Sequence, residues 1–460
     1  MTGAAHLKEV PRLPATPLLI GMLAALVAGL LGAGAAPLYA QATGKAPARA
    51  PVKRSLPQQD PLAALLTQAQ QAVDRKDLAA ALDPLHKYAA QRPQDPYVHF
   101  QLGYVFSGLE QWDQARAEFE RAIELDPKMA AAHLNLGLVL MDRDATRAAQ
   151  AFRQAAELQP AESRPRFLAG VVLERSGQLS DAVAEYRKAL ELSPTDFELN
   201  FSLGRALLAG NQAEQAEPRF REAVKLRADS APALLGLANS LLSQKKTAAG
   251  AEALADYLKL KPDDAAARLD RASALNEINR IDEALAELDR MEAVSPPTLE
   301  MRKMRGTIYL QQRKWKEAGE TLAPALAESP DDPQLLAWLG RVQLQLRDFP
   351  NAIRLLGRAY SLDAGSVDAL RDLVSAFFLS EDYASTLGAM DRLARLESPQ
   401  ALTWFVRGIC YDKLSRKADA IESYQKFLDL DQGHSDTQSF QARRRIVTLQ
   451  NELKRAGKSR

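Results

Sequence analysis

Residue types that carry catalysis are scarce in this sequence, and none stands in a catalytic pattern. The chain has one cysteine, Cys410, and five histidines among 460 residues. It contains no Gly-rich phosphate loop, no Gly-x-Ser-x-Gly elbow, no His-Glu-x-x-His pair and no Cys-x-x-Cys pair. Because a nucleophile or a metal ligand needs partners at defined spacing, the sequence predicts no catalytic residue, no metal site and no cofactor.

The charge balance bears on the class of partner. The 59 Lys and Arg residues are nearly matched by 58 Asp and Glu residues, which gives a formal net charge of +1. Nucleic-acid binders carry a basic excess on one face, and this chain does not. The abundant Ala, Leu, Glu, Gln, Lys and Arg residues are strong helix formers. The composition therefore indicates an all-α protein that does not bind nucleic acid.

The first 42 residues have the pattern of an export signal. Lys8 and Arg12 precede an apolar run over residues 18–36, and residues 40–42 match a small-x-small cleavage site. We therefore expect a signal peptide and an exported chain, either periplasmic or secreted. About nineteen apolar residues can also span a bilayer, so an uncleaved anchor in the inner membrane is the alternative.

A repeat of about 34 residues runs through most of the remaining chain. Its first mark is a glycine, found at Gly103, Gly137, Gly170, Gly204, Gly236, Gly306, Gly340 and Gly408. About twelve residues later comes a small residue, and four further on a bulky one. Examples are Ala115 and Phe119, Ala148 and Phe152, Ala182 and Tyr186, Ala216 and Phe220, and Ala318 and Leu322. Most units close with a proline, as at Pro127, Pro160 and Pro194.

Each of these slots has a physical reason. Glycine in a first helix and alanine in a second let two helices cross closely, because larger side chains would collide there. The bulky residue lies one turn after the alanine on the same helix face and fills the space between the pair. The proline cannot continue a helix and so ends each unit. The pattern predicts a series of helix pairs.

The pattern resembles the tetratricopeptide repeat family, most completely over residues 97–127. The resemblance implies an all-α, right-handed α-solenoid of about eleven helix-turn-helix units over residues 61–432. Since no unit can bury its apolar face alone, we expect one continuous array. Residues 43–60, rich in Pro, Ala, Lys and Arg, would be a linker without a fold. Residues 433–460 would form a C-terminal capping helix and a tail.

Three residues whose side chains could be reactive occupy structural positions of the repeat. Cys410 lies two residues after Gly408 in a first helix, where a small core residue is expected. His99 and His133 recur one repeat apart, in the slot where the family has tryptophan, so we expect them to pack between helices. The pattern thus assigns reactive chemistry to none of the three.

The C-terminal segment lacks the repeat but keeps helical apolar spacing. We expect its helix to cover the last unit with Phe440, Ile446, Leu449 and Leu453. It also carries a basic cluster, made of Arg443, Arg444, Arg445, Lys454 and Arg455. A solvated outer face explains such a cluster, and contact with an acidic surface is the alternative.

In the tetratricopeptide family the first helix of each unit lines a concave groove that binds ligands. The resemblance places aromatic residues there in the N-terminal half. The expected anchors are Tyr97, Phe100, Tyr104, Phe167 and Phe201, and the expected polar contacts are Arg164 and Arg205. The alternative is that several of these side chains only pack between helices.

These observations predict a non-enzymatic protein. We expect an extracytoplasmic protein–protein interaction scaffold or adaptor of a bacterium, which binds a peptide or amphipathic helix of another protein in the groove. The alternative is a non-catalytic subunit of an envelope assembly, in polysaccharide export or outer-membrane biogenesis, which rests on family analogy. Any membrane tether would lie in residues 18–36, and self-association stays open.

Overall fold

The computed structural model describes residues 61–432 and 434–458. Within these ranges all regular secondary structure is helical, and no strand is found there. The expected signal peptide, the apolar run at 18–36 and the linker at 43–60 lie outside the described residues. No helix in the described part is long and apolar enough to cross a membrane. The predicted all-α fold is confirmed.

The helices fall into two compact units, and unit 1 ends at Ala228. Its described helices are α1 (Pro61–Asp74), α2 (Leu78–Gln91), α3 (Pro96–Gly108), α4 (Trp112–Leu125), α5 (Ala130–Leu140), α6 (Ala145–Leu158), α7 (Ser163–Arg175), α8 (Leu179–Leu192), α9 (Phe197–Ala209) and α10 (Ala213–Leu226). Within unit 1 each odd-numbered helix packs on the even-numbered helix that comes after it, and each even-numbered helix up to α8 packs on the odd-numbered helix that follows it. We call the two members of a pair its first and second helix.

Unit 2 begins at Asp229 and continues the same alternation. Its helices are α11 (Ala231–Ser243), α12 (Thr247–Leu260), α13 (Ala265–Glu277), α14 (Ile281–Glu292), α15 (Leu299–Gln311), α16 (Trp315–Glu328), α17 (Pro333–Gln345), α18 (Phe349–Leu362), α19 (Val367–Leu379), α20 (Tyr383–Leu393), α21 (Ala401–Lys413), α22 (Lys417–Asp431) and α23 (Asp436–Lys458). The last helix, α23, packs on α22 and has no second helix of its own among the described residues.

Short polar signals set the ends of the helices. Several first helices begin behind an aspartate whose carboxylate accepts a backbone N–H of the first turn, as Asp196 does from Leu199 at 3.0 Å. Most turns inside a pair contain one residue in the left-handed region. These residues recur 34 apart over much of the chain, at Asn211, Lys245, Asn279, Arg313, Arg347, Glu381 and Ser415. The backbone therefore repeats with the period seen in the sequence.

The glycine of a first helix meets the bulky residue of its second helix, as the sequence predicts. A Cβ added at Gly103 would lie 2.7 Å from Cδ1 of Phe119, which has no exposed surface. A Cβ at Gly408 would lie 2.6 Å from the Tyr424 ring. Any larger residue would force these helices apart. This close approach builds the core of every such pair.

In α11 the sequence predicted Gly236 as the small residue of the first helix, and this prediction was wrong by two residues. Ala238, which lies 34 residues after Gly204, is fully buried, whereas Gly236 is half-buried. The second helix keeps the same register, because a Cβ at Gly250 would lie 2.5 Å from the Leu242 side chain. The α11–α12 pair therefore keeps the 34-residue period, and the neighbouring Leu235-Gly236 pair resembles the signal without filling the slot.

The C-terminal helix packs with half of its predicted residues. Ile446 and Leu449 are buried against Tyr424 and Phe427 of α22, together with Ala442. In contrast, 65% of Phe440 and 41% of Leu453 is exposed. Phe440 lies on the opposite face of the helix. Leu453 lies past the end of its neighbour, since Glu452 already pairs at 2.9 Å with Lys417, the first residue of α22.

Candidate functional site

The predicted anchors all lie on first helices of unit 1. Tyr97, Phe100 and Tyr104 lie on α3, Phe167 lies on α7 and Phe201 lies on α9. The pair α5–α6 separates α3 from α7 along the array, while α7 and α9 contact each other directly. The structure therefore brings the predictions for α7 and α9 together and places those for α3 in a second group.

The three phenylalanines pack on the aromatic residue of their own second helix. The ring centroids are 5.8 Å apart for Phe100 and Phe119, 5.9 Å for Phe167 and Tyr186, and 6.0 Å for Phe201 and Phe220. The partner ring is buried in each case, whereas the phenylalanine itself is only half-buried. Packing between helices thus accounts for one side of each ring, and part of each ring remains exposed to solvent.

The two tyrosines of α3 differ in exposure. Tyr97 is 45% exposed and stands at the start of the helix, where its backbone N–H donates to Asp95 Oδ1 at 3.0 Å. Tyr104 is half-buried, and this burial raises the pKa of its phenol. Tyr97 is therefore the predicted anchor that offers the most side-chain surface to a ligand.

Arg164 presents a charge that the described residues do not neutralise. Its side chain is exposed at the start of α7, and no carboxylate in residues 61–432 or 434–458 pairs with it. Partial desolvation lowers the pKa of its guanidinium, although the group stays charged at neutral pH. A guanidinium that has lost some hydration without gaining a counter-ion is well prepared to bind a carboxylate.

Arg205 is exposed, but residues of its own unit already bind its guanidinium. Its Nε lies 2.8 Å from Glu174 Oε1, and its Nη2 donates to Glu174 Oε2 at 2.9 Å. The buried hydroxyl of Tyr186 donates to the same Oε2 at 2.8 Å. Burial, reinforced by the Glu174 carboxylate, raises the pKa of Tyr186 well above its ordinary range. A ligand would therefore have to compete with Glu174 for the guanidinium of Arg205.

An aromatic stack beside Arg205 was not predicted. The rings of Phe197 and Phe201 stack with centroids 5.9 Å apart and an interplanar angle of 2°. Arg227 lies 3.8 Å from the Phe197 centroid, and Arg205 lies 5.8 Å from that of Phe201. The i, i+4, i+8 spacing of Phe197, Phe201 and Arg205 was the signal that could have shown it.

The slot that tryptophan fills in the family holds polar residues in several pairs, and they do more than pack. Side chains at this slot reach the backbone carbonyl six residues earlier. The distances are 3.2 Å for His99 Nε2 and Pro93, 3.0 Å for His133 Nε2 and Pro127, 3.0 Å for Asn200 Nδ2 and Pro194, and 2.9 Å for Arg268 Nε and Pro262. Some of them also bind an acid of the second helix, as His99 Nδ1 does with Glu118 at 2.6 Å. These histidines therefore tie the closing proline to the next pair.

The described residues contain no metal-ligand cluster, and the cysteine among them is buried. No group of three or more His, Cys, Asp or Glu side chains in them could hold a metal ion. Cys410 is buried, and the loss of solvation raises its pKa to about 12. Its sulfur is therefore a thiol at neutral pH and a poor nucleophile.

Known proteins similar to this chain include one enzyme and several helical-repeat structures. The chain is 37% identical over 75 residues to "Protein O-mannosyl-transferase Tmtc2" from Drosophila melanogaster, a match that covers 15% of this chain and 8% of that protein. "Crystal structure of YrrB: a TPR protein with an unusual peptide-binding site" is 21% identical with a TM-score of 0.37, over 40% of this chain and 95% of that one. "MamA 41-end from Desulfovibrio magneticus RS-1" is 22% identical with a TM-score of 0.35, over 37% and 97%.

Family models match most of the helix pairs. One described as "Tetratricopeptide repeat" matches residues 100–160, 201–264, 235–297 and 303–369. A second, "TPR repeat", matches 175–210, and a further "Tetratricopeptide repeat" model matches 401–434. Together these models cover more than half of the chain, over the same helices that pair in the structure. The chain belongs to the tetratricopeptide repeat family.

Proposed function

We propose that the chain is a non-enzymatic protein-interaction scaffold that holds a peptide or an amphipathic helix of a partner on unit 1. The binding residues would be the first-helix surface, defined as Tyr97, Phe100, Tyr104, Arg164, Phe167, Phe201 and Arg205. Arrays of this family present extended surfaces to other proteins, which supports the general role. The chemistry of this surface suits a partner segment that has apolar side chains and at least one carboxylate.

One observation carries this proposal. Arg164 is exposed and lacks a carboxylate partner within the described residues, and it lies three residues before the half-buried Phe167 on the same helix. An apolar ring beside an unneutralised guanidinium suits a ligand that buries one hydrophobic residue and pairs one acid. Arg205 belongs to the same surface but offers less free charge than Arg164, because its bidentate contact with Glu174 holds α9 against α7.

We also propose that the scaffold works outside the cytoplasm. The support is the sequence pattern of residues 1–42, which resembles a signal peptide. N-terminal sequencing of the mature protein tests this, and a mature chain that still begins within residues 1–36 would contradict cleavage and favour the anchor.

The test of the surface uses residues that do not build the core. Phe100, Phe167 and Phe201 are unsuitable for alanine, because Phe→Ala at a packed site costs about 3–5 kcal/mol of stability. The test variant is Tyr97→Ala with Arg164→Glu. The matched control is Leu192→Ala with Lys128→Glu, which removes a side chain of similar exposure and reverses one exposed charge elsewhere in unit 1.

A photo-crosslinking residue at position 97 in cells first captures the partner, and the crosslinked segment is then synthesised as a peptide. We expect the test variant to bind this peptide at least about tenfold more weakly, since an aromatic anchor and a charge pair each contribute more than about 1 kcal/mol. The control variant should bind as the native chain does. Equal binding by the native chain and the test variant would contradict the assignment.

A further inference from the structure

A stripe of exposed side chains runs along α23 on the face turned away from α22. We define the C-terminal stripe as Phe440, Arg444, Val447, Asn451 and Lys454, which are spaced at i, i+4, i+7, i+11 and i+14. Phe440 is 65% exposed and Val447 is 58% exposed, while Ala442, Ile446 and Leu449 on the opposite face are buried. The stripe is about 21 Å long at the rise of an α-helix.

The contacts of Arg445 show which place in the repeat this helix occupies. Arg445 donates from Nε and Nη2 to both carboxylate oxygens of Asp412, at 2.5 and 2.8 Å. Arg205 binds Glu174 in unit 1 through the same two nitrogen atoms. In both cases the carboxylate lies near the end of one first helix and the arginine lies in the next one. α23 is therefore placed as a first helix.

This register puts the stripe on the face that a second helix normally covers. Gly204 immediately precedes Arg205, and the residue in the same place before Arg445 is Arg444. Arg444 lies two residues later than the 34-residue period from Gly408 predicts, because Ala442 is buried against α22 instead. The glycine is needed because the second helix approaches closely: a Cβ at Gly204 would lie 3.1 Å from the Phe220 ring. A guanidinium at position 444 excludes such a helix. A partner that docks on α23 must stay further away and must accept hydrogen bonds.

The stripe is positively charged and lacks internal counter-ions. Arg443, Arg444 and Lys454 are exposed, and no carboxylate pairs with them in the part of the chain that the structure describes. The acidic side chain Glu452 is turned toward α22, where it pairs with Lys417 and lies 3.8 Å from Arg445. The outward face thus combines two apolar side chains with three cations, and the exposed Asp436 lies one turn before Phe440 at its N-terminal end.

We propose that the C-terminal stripe docks an acidic amphipathic helix of another protein. Its apolar residues would cover Phe440 and Val447, and its carboxylates would pair with Arg444 and Lys454. A helix fits because the stripe is straight and itself has helical spacing. The surface belongs to unit 2 and is distinct from the first-helix surface of unit 1, so the failure of one proposal leaves the other untouched.

The chemistry of the stripe disfavours two other occupants. In a symmetric dimer through α23, Arg444 and Lys454 of one copy would face cations of the other, which is repulsive. A membrane-bound helix needs a broad apolar face, and here only Phe440 and Val447 are apolar among the five stripe residues. Both occupants are nevertheless outcomes of the test below.

The test uses two designed helical peptides with one leucine pattern, flanked by glutamates in the first and by lysines in the second. A fluorophore on a Gln450→Cys chain reports binding, since the native Cys410 is buried and does not react. We expect the acidic peptide to bind and the basic peptide not to bind, with an affinity that falls as salt rises. Arg444→Glu with Lys454→Glu should weaken binding at least about tenfold.

Phe440→Ala with Val447→Ala tests the apolar half of the stripe separately and should also weaken binding, by about tenfold. The matched control, Lys316→Glu with Arg395→Glu, reverses two exposed charges elsewhere in unit 2 and should change nothing. Equal binding of both peptides, or no loss in either stripe variant, would overturn the proposal. So would a stripe-dependent dimer in sedimentation, or stripe-dependent binding to phosphatidylglycerol vesicles in place of the acidic peptide.

Discussion

Two junctions, α7 with α9 in unit 1 and α21 with α23 in unit 2, are built from the same residue types, but only the first is covered by a second helix. Each has a buried tyrosine, a carboxylate at the end of a first helix and an arginine from the next first helix. The members are Tyr186, Glu174 and Arg205 in unit 1, and Tyr424, Asp412 and Arg445 in unit 2. The ion pair positions the next first helix in both places.

The two junctions differ in the residue that immediately precedes the arginine. Gly204 lets α10 pack closely on α9, whereas Arg444 leaves the matching face of α23 exposed. A second difference concerns the tyrosine: the Tyr186 hydroxyl donates to Glu174, while the Tyr424 hydroxyl donates no hydrogen bond within the described residues. Docking the next first helix and accepting a second helix are therefore separate properties, and neighbouring residues fix each of them.

The largest change in stability is expected when the residue types at the glycine slot are exchanged between α21 and α23. Gly408→Arg places the residue type of α23 into α21, where a Cβ alone would already lie 2.6 Å from the Tyr424 ring. We expect the free energy of unfolding of unit 2 to fall by about 3 kcal/mol, because the pair must separate. The reverse change, Arg444→Gly, should cost about 1 kcal/mol or less, since only helix propensity is lost at an exposed site.

Urea unfolding followed by circular dichroism measures both changes. Hydrogen exchange of the α22 amides reports whether the loss is local to that pair, which matters because repeat arrays need not unfold in a single step. Equal losses for the two variants would show that the slot has no special role in closing a pair.

Removing the carboxylate should cost more stability at the junction with Tyr186 than at the junction with Tyr424. Glu174→Ala leaves the buried Tyr186 hydroxyl without its acceptor, so we expect a loss of about 2 kcal/mol. Asp412→Ala removes only the ion pair with the part-exposed Arg445, and screening limits that loss to about 1 kcal/mol or less. Thermal and urea unfolding of both variants, with double-mutant cycles through Arg205 and Arg445, give the pair energies. A larger loss for Asp412→Ala would contradict this account.

The core of the fold could be predicted because it depends on residue types at fixed spacing. Gly103 and Phe119 lie 16 residues apart in the sequence and meet in the structure. The helix order and the pairing follow from such slots alone. Where two small residues compete for one slot, as Gly236 and Ala238 do, spacing decides better than residue type, because the 34-residue period of the turns is kept.

The polar contacts were harder to predict because they join residues that are far apart in the sequence. Glu174 and Arg205 are 31 residues apart, and Asp412 and Arg445 are 33 apart, so no single spacing finds both. The expected site is predictable only in outline for the same reason. The sequence indicates that Phe201 lies on a first helix, but Phe197 and Arg227 surround it only once the packing of neighbouring helices is known.

The smallest effect we expect appears at alkaline pH and tests the tyrosines directly. Burial raises the pKa of Tyr186 above its ordinary value of 10.0, and the Glu174 carboxylate raises it further. A group whose pKa is raised on folding stabilises the folded state below its ordinary pKa, and this contribution is lost as the pH rises above about 10. Burial also raises the pKa of Tyr424, so both phenols should oppose folding when they ionise.

Phenylalanine at each position separates this titration from the hydrogen bond. At neutral pH, Tyr186→Phe should cost about 1 kcal/mol because a buried hydrogen bond is lost, whereas Tyr424→Phe should cost much less. Above about pH 10, each variant should lose stability less steeply than the native chain, since one buried phenol no longer ionises. Urea unfolding over this pH range, with tyrosinate absorbance recorded in parallel, measures both effects. Identical pH slopes in the native chain and both variants would show that other groups govern alkaline unfolding.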